Sequence, residues 1–254
     1  MNRKSLLSIF LCFILGIALL SGCGGGGGGG DVTPIERGPS SDYFGLEVGS
    51  TLTYNISGYE AEETPSEYTD TLIHRILSDS HSIFKTEDTY LSDGYKSGEY
   101  IEKDADGNKY LYKGYWDNEG EHPSDPPYET IVSYPISTGS TSDSWGEAIR
   151  QETVTVPAGT FNAWVFHSYD SWSDPYSGEH IYEAHTYYVP YLGLIKRQYS
   201  HTKNGVEIFS SYVLLNSYSF GVSGSSLNSY NVNSRTTRPS TSSKKLKQLF
   251  KHHR

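Results

Sequence analysis

An all-β fold is predicted for residues 42–220 of this 254-residue chain, an antiparallel meander of closely spaced hairpins. Three observations predict it. Apolar and polar residues alternate with a period of two, the spacing of a strand that buries one face. Turn residues punctuate the chain at short intervals, which joins strands as antiparallel hairpins. No stretch of useful length repeats at the 3.6-residue period of a helix. Flanking this domain, the sequence predicts a signal helix at the amino end and a disordered tail at the carboxyl end.

Arg3 and Lys4 form a short basic start, and Leu6 to Leu20 is apolar except for Ser8 and Gly16. A membrane-spanning helix needs about 20 apolar residues, so this run is short for one and has the length of a signal-peptide core. It ends in Leu20-Ser21-Gly22-Cys23. These four residues resemble the lipobox of bacterial lipoproteins. The resemblance implies that residues 1–22 are a leader, that Cys23 carries diacylglycerol on its sulfur, and that the chain is cut in front of Cys23. Small residues at 21 and 22 let the chain enter a protease site in extended form. The other cysteine, Cys12, lies in the leader, so the mature chain keeps Cys23 alone. Lipid then consumes the thiol that would otherwise stand free in an oxidising compartment. Two or three acyl chains, at ~0.8 kcal/mol per buried methylene, make a lasting anchor.

Gly24 to Gly30 is unbroken glycine. With no side chains to bury, it reads as a flexible tether, and residues 23–41 together span on the order of 20–25 Å as a coil. Gly24 stands where an aspartate would mark inner-membrane retention in enteric bacteria. By that resemblance the chain is expected at the outer membrane of a bacterial cell envelope.

The domain itself opens with Leu52, Tyr54 and Ile56 alternating with Thr51, Thr53, Asn55 and Ser57. Further strands are expected at 69–77, 82–90, 98–103, 109–116, 130–134, 147–156, 160–169, 180–189, 194–201 and 206–218. Ser92-Asp93-Gly94, Asp106-Gly107-Asn108, Pro157-Ala158-Gly159 and Lys203-Asn204-Gly205 supply turn chemistry between them. Only 35% of the chain is hydrophobic, yet 21 of its 22 tyrosines lie between Tyr43 and Tyr218. Tyrosine buries a large ring while its hydroxyl stays wet or finds a partner, so a polar sequence of this kind can still pack.

Two stretches carry a family resemblance. Tyr43-Phe44-Gly45-Leu46-Glu47-Val48-Gly49-Ser50-Thr51-Leu52-Thr53-Tyr54 looks like the "F-P-L-x-x-G-x-x-W-x-Y" opening of many exported bacterial lipoprotein domains, without its proline and tryptophan. Val154-Thr155-Val156-Pro157-Ala158-Gly159-Thr160-Phe161 and Tyr187-Tyr188-Val189-Pro190-Tyr191-Leu192-Gly193-Leu194-Ile195-Lys196 look like the "V-P-A-G-x-F" and "Y-x-x-G-x-G-L-V-K" of its second half. The domain thus resembles the uncharacterised TapB-like families. The resemblance implies a curved antiparallel half-barrel related to the periplasmic lipoprotein carriers. These motifs specify turns and strands and carry no chemistry of their own.

Candidate sites are few. Asp104-Ala105-Asp106-Gly107-Asn108 has the start of a calcium loop's oxygen spacing but lacks the third spaced ligand and the closing glutamate, so it reads as a hairpin turn. His180 and His185 are five apart and face opposite sides of a strand, while Glu183 and His185 share a face. Two ligands do not make a zinc site, and no metal or cofactor is expected. Asp117, Glu119, Glu121 and Asp125 read as one solvated acidic loop. Trp172 and Tyr176, placed on a hairpin tip between residues 170 and 179, are the candidate ligand-contacting aromatics; alternatively they fold back over the open end of the sheet. No G-x-S-x-G elbow occurs, and no nucleophile–base–orienter set is visible, so a non-catalytic protein is expected.

Charge divides the chain. All 30 acids and 11 of the 20 basic residues lie between Asp31 and Glu207, a net of −19; seven basic residues and no acid lie from Arg235 to Arg254, a net of +7. The acidic domain argues against a nucleic-acid partner. In the tail, residues 221–254, Gly221 to Ser243 is rich in Ser, Asn, Thr and Gly and is expected to be disordered. Leu246, Leu249 and Phe250 follow at helical spacing among lysines. Such a turn suits anionic lipid or envelope polymer, the acidic domain, or water alone.

The expected protein is therefore a lipid-anchored envelope lipoprotein. Its function is read as a binding module for an apolar or amphiphilic ligand, the alternatives being an assembly partner of another envelope protein and, less favoured, a hydrolase. Cys23→Ala should abolish acyl labelling and partitioning into a detergent phase; a variant that labels and partitions like the parent contradicts the lipid anchor.

Overall fold

Leu52, Tyr54 and Ile56 are buried and the residues between them are not, which makes Thr51–Glu60 (β1) a strand with a single core face. The computed structural model describes residues 38, 40, 42–61, 66–80, 82–124 and 128–220. Among these residues every regular element is a strand. After β1 come Ser66–Ser80 (β2), Ile83–Tyr90 (β3), Lys96–Lys103 (β4), Lys109–Asp117 (β5), Gly120–Pro123 (β6) and Thr130–Ser133 (β7). Thr141–Ser142 (β8), Gly146–Val156 (β9), Gly159–Asp174 (β10), Gly178–Val189 (β11), Gly193–Lys203 (β12) and Val206–Ser219 (β13) follow.

All pairs are antiparallel, in the spatial order β6-β5-β4-β3-β2-β1-β13-β12-β11-β10-β9-β8, with β7 also on β5. The first strand thus lies at the centre, between β2 and β13, and two meanders run outward from it. The expected fold class holds: one curved, open antiparallel sheet. Its two ends approach without a ladder between them. There the Asp143 N–H donates to the Thr130 carbonyl at 2.9 Å, and the Thr130 N–H donates to the Asp143 carboxylate at 2.6 Å.

Turn chemistry fixes the register. Asn204 and Gly205 both hold positive φ, 51° and 75°, between paired Lys203 and Val206. This is the two-residue turn whose twist matches the strands, and glycine adopts its second position without strain. Pro157 and Ala158 join β9 to β10, and the Ala158 N–H reaches across to the Leu215 carbonyl on β13.

The core has two clusters. One gathers Leu52, Tyr54, Ile56, Val154, Phe161, Val165, Tyr187, Ile195, Val213 and Leu215. The other gathers Leu46, Ile76, Phe84, Ile101, Tyr110, Tyr112, Val132, Phe166 and Tyr188, from both flanks of the sheet. Val165 and Phe166 are consecutive and both buried, one in each cluster; so are Tyr187 and Tyr188. Register shifts fall at these two places, Val165/Phe166 against β9 and Tyr187/Tyr188 against β12. A bulge bends the strand and turns its faces, which is how one hairpin supplies both clusters.

Two short strands, β6 and β8, depart from the expected pattern. The acidic stretch expected as a loop is a hairpin: Asp117 ends β5, and Glu121 and His122 pair back onto Trp116 and Tyr115. The other hairpin corrected by the structure is β10–β11, whose ladder runs to Asp174↔Gly178, so its tip is only residues 175–177. Asp104–Asn108 is the turn expected: the Asp104 carboxylate accepts the Asn108 and Lys109 amides at 2.7 and 2.9 Å. The expectations for Leu20, Ser21, Gly22, Cys23 and the basic tail lie outside the described residues, as do Asp125 and most of the tether; Gly38 and Ser40, at its end, are described, and their amides donate to the Pro190 and Tyr191 carbonyls at 2.7 and 2.8 Å.

Candidate functional site

The segment before β1 enters the mouth of the curved sheet. Gly45 holds φ at 83°, and a β-carbon there would strike the Leu192 carbonyl, so the chain can turn inward at this point only without a side chain. The turn delivers Phe44 between the flanks, its ring stacked at 5.0 Å on Tyr110, 5.8 Å on Trp145 and 5.7 Å on Tyr188. Asp42 fastens it. One carboxylate oxygen accepts the Phe44 and Leu46 amides at 2.9 and 3.2 Å. The other accepts the Lys103 ammonium at 2.9 Å and the Tyr110 hydroxyl at 3.0 Å. Burial, and then the Asp42 charge, push the Tyr110 phenol well above its ordinary pKa, so it stays a neutral donor. On the opposite flank the Tyr188 hydroxyl donates to the Tyr43 carbonyl at 2.6 Å, and the Tyr191 N–H donates to the same oxygen at 2.7 Å.

Beside this plug, the concave face encloses a cavity of about 430 Å³. Leu52, Tyr54 and Ile56 of β1, Leu72 and Ile76 of β2, and Val213 of β13 form much of its apolar wall. Register explains why they converge: Tyr54 lies opposite Leu72 on one side and Leu215 on the other, and Ile56 lies opposite Val213. The Tyr54 hydroxyl donates to the carbonyl of Leu194, another lining residue, at 2.9 Å. Phe44, Leu46 and Trp145 line the plug side.

Polar groups make up much of the remaining lining, His74, Asp88, Glu99, His122, Glu129 and Arg197 among them. His74 lies opposite Asp88 in the β2–β3 ladder, and its Nδ1 is 2.6 Å from the carboxylate. Burial opposes charge on His74, but the Asp88 charge and hydrogen bond outweigh it, with help from Glu99, and hold its pKa above the ordinary value. Arg197 of β12 and Glu99 of β4 also line the space. At one rim, His122 stacks at 4.4 Å on Tyr115 and sits 3.2 Å from the Asp117 carboxylate. The cavity thus combines an apolar wall with the polar side chains of His74, Asp88 and Arg197.

The aromatics expected to touch ligand lie elsewhere. Trp172 stands on β10 opposite His180, its ring stacked on that imidazole at 4.2 Å and 3°. His180 is in turn 2.9 Å from His201, whose ring stacks on Tyr182 at 4.0 Å. Tyr176 is 99% exposed at the hairpin tip. Neither Trp172 nor Tyr176 lines the cavity. His74, Asp88 and Arg197 went unremarked in the sequence because strand register, not spacing, brings them together. On the outer face of β10–β11, His167 stacks on His185 at 4.7 Å and its Nε2 lies 3.0 Å from the Glu183 carboxylate.

No protein-family model matches the chain, and no curated protein does. Solved structures similar to it include a candidate exported protein with a YmcC-like fold from Bacteroides fragilis, at 14% identity over 70% of this chain and 99% of that one, with a TM-score of 0.43. A candidate lipoprotein from Parabacteroides distasonis matches at 14% identity over 71% of this chain and 100% of that one, with a TM-score of 0.38. A candidate outer membrane lipoprotein-sorting protein domain from Vibrio parahaemolyticus matches at 9% identity over 70% of this chain and 87% of that one, with a TM-score of 0.29.

His74 gives the cavity a pH signature. Folding raises its pKa, so the folded chain holds this proton more tightly than the unfolded chain does. The resulting stabilisation is complete below about pH 6.5, the unfolded value, and fades as pH rises through the folded one. The gap in unfolding free energy between the parent and His74→Gln should therefore be wider near pH ~5.5 than near pH ~8.5. Denaturant titrations at the two pH values check this, and a gap that widens with pH contradicts the pairing.

Proposed function

We propose that this chain is a non-catalytic, lipid-anchored lipoprotein of the bacterial cell envelope whose curved sheet holds an apolar or amphiphilic ligand. The observation that carries the binding reading is the cavity of about 430 Å³, walled by Leu52, Leu72, Ile76 and Val213 on the concave face. Its size falls within the range typical of small-molecule sites, roughly 300–1,000 Å³, and its lining combines apolar walls with polar groups. The anchor rests on the sequence, on Leu20-Ser21-Gly22-Cys23 and the glycine run behind it. Gly24 in place of the retention aspartate favours the outer membrane.

The anchor and the cavity make one device. Acyl chains on Cys23 would hold the protein at a membrane surface. A ligand with a hydrocarbon part loses little when it leaves lipid for a wall of leucine, isoleucine and valine. Its polar end then finds the His74–Asp88 pair and Arg197. Assembly through sheet edges is the alternative, and the part of β9 beyond Glu147, whose ladder runs to β10 alone, is the edge it would use.

The test is chemical. Purified full-length protein in nanodiscs of one synthetic lipid should yield, on solvent extraction, an amphiphile distinct from that lipid at near one per chain. A Leu72→Trp, Val213→Trp variant, which fills the cavity, should lower the yield at least about tenfold, equivalent to ~1.4 kcal/mol of binding, with its thermal unfolding midpoint retained. Equal yields from parent and variant, or no extracted molecule from either, would sink the binding reading.

A further inference from the structure

We propose that His167, His185 and Glu183 form a binding site for a divalent first-row transition-metal ion on the outer face of the β10–β11 hairpin. The three side chains are brought together by register: His167 lies directly opposite His185, and Glu183 precedes His185 by two residues on the same face. One ligand atom from each residue lies within 4.8 Å of the other two. The His167 Nε2–Glu183 carboxylate separation is 3.0 Å, and the two imidazoles stack at 4.7 Å between centroids.

This arrangement is already near what a metal demands. Ligand atoms at about 2.0–2.1 Å from a tetrahedral zinc ion lie about 3.3 Å apart. The His167–Glu183 pair meets that spacing as it stands, and rotation of the His185 ring brings in the third atom. Two imidazoles and one carboxylate are a donor set for zinc, nickel, copper or iron, harder than a thiolate site and softer than a calcium cage. All three residues are half-buried on paired strands, so the backbone under the site is fixed and a fourth position faces solvent.

Electrostatics agree with the geometry. The Glu183 carboxylate stands beside both imidazoles as the acidic member of the set. Arg150 and Glu152 of β9 also face the cluster, but the Arg150 Nε is 2.7 Å from the Glu152 carboxylate, so they add little net field. A cation at the centre would satisfy all three groups at once. The cavity ligand takes no part, so this site stands or falls separately from the binding function.

Zinc titration of the full-length protein at neutral pH, against a fluorescent chelator, tests the site. One ion per chain is expected, and His167→Gln, His185→Gln and Glu183→Gln should each weaken binding at least about tenfold, the scale seen when even a supporting partner of a ligand is removed. Zinc should also raise the unfolding midpoint of the parent and leave that of His185→Gln unchanged. Glu183→Gln, the more exposed position, keeps the test decisive if a histidine variant fails to fold. Absence of zinc binding by the parent overturns the proposal. So does undiminished binding in the variants, which would place the ion on Cys12, Cys23 or the tail histidines instead.

Discussion

The Asp42 carboxylate fastens the segment before β1 to the β4–β5 hairpin, where Lys103 and Tyr110 are ladder partners. It accepts two backbone amides of its own turn, the Lys103 ammonium at the end of β4, and the Tyr110 hydroxyl near the start of β5. Charged hydrogen bonds of this kind contribute ~1.5–3 kcal/mol each when buried, and a buried carboxylate deprived of them costs more than they supply. The result is a fixed inward turn, and on that turn sits Phe44. Its ring touches Tyr110 on one flank and Trp145 and Tyr188 on the other. An open sheet of this length has little else to hold its ends at a set distance. The Thr130–Asp143 contact is short, and β6 and β8 are too brief to pair across.

The cavity follows from the same constraint. A side chain as large as phenylalanine, planted beside the second cluster, keeps the flanks from collapsing onto each other. The face between β1, β2 and β13 is left with apolar walls and room beside them. Bulges at Val165/Phe166 and Tyr187/Tyr188 let one hairpin feed both clusters, so the core is complete without filling that space. The outer face obeys a different economy. There β10 and β11 carry His167, Glu183 and His185, polar groups that satisfy one another and stay partly wet.

Much of the fold was legible because two-residue alternation and turn residues act locally. Leu52, Tyr54 and Ile56 declare β1, and Asn204-Gly205 declares the β12–β13 turn. What escaped depends on partners. Gly120–Pro123 has no strand pattern of its own and pairs because β5 lies beside it. Asp170 to Ser173 reads as loop, yet the ladder begun by β10 and β11 carries through it, and Trp172 covers His180. The sites show the same division. Glu183 and His185 can be seen to share a face within one strand, whereas His167 joins them only through the neighbouring strand. His74 and Asp88 are 14 residues apart and meet by register. The Tyr43–Tyr54 motif was visible as a pattern, and its physical reason, a plug pinned by Asp42, came only with the folded chain.

If the plug sets the spacing of the flanks, loosening it must be felt at the seam beside it before it is felt in the central strands. Native-state hydrogen exchange of Phe44→Ala resolves the two. Exchange should rise at the Asp143 amide, which bonds Thr130, and at the Tyr112 amide, which bonds Glu129, while amides of β1, β12 and β13 keep their protection. Unchanged exchange at Asp143 and Tyr112, or a uniform rise across all strands, would contradict the plug as the element that holds the sheet around its cavity.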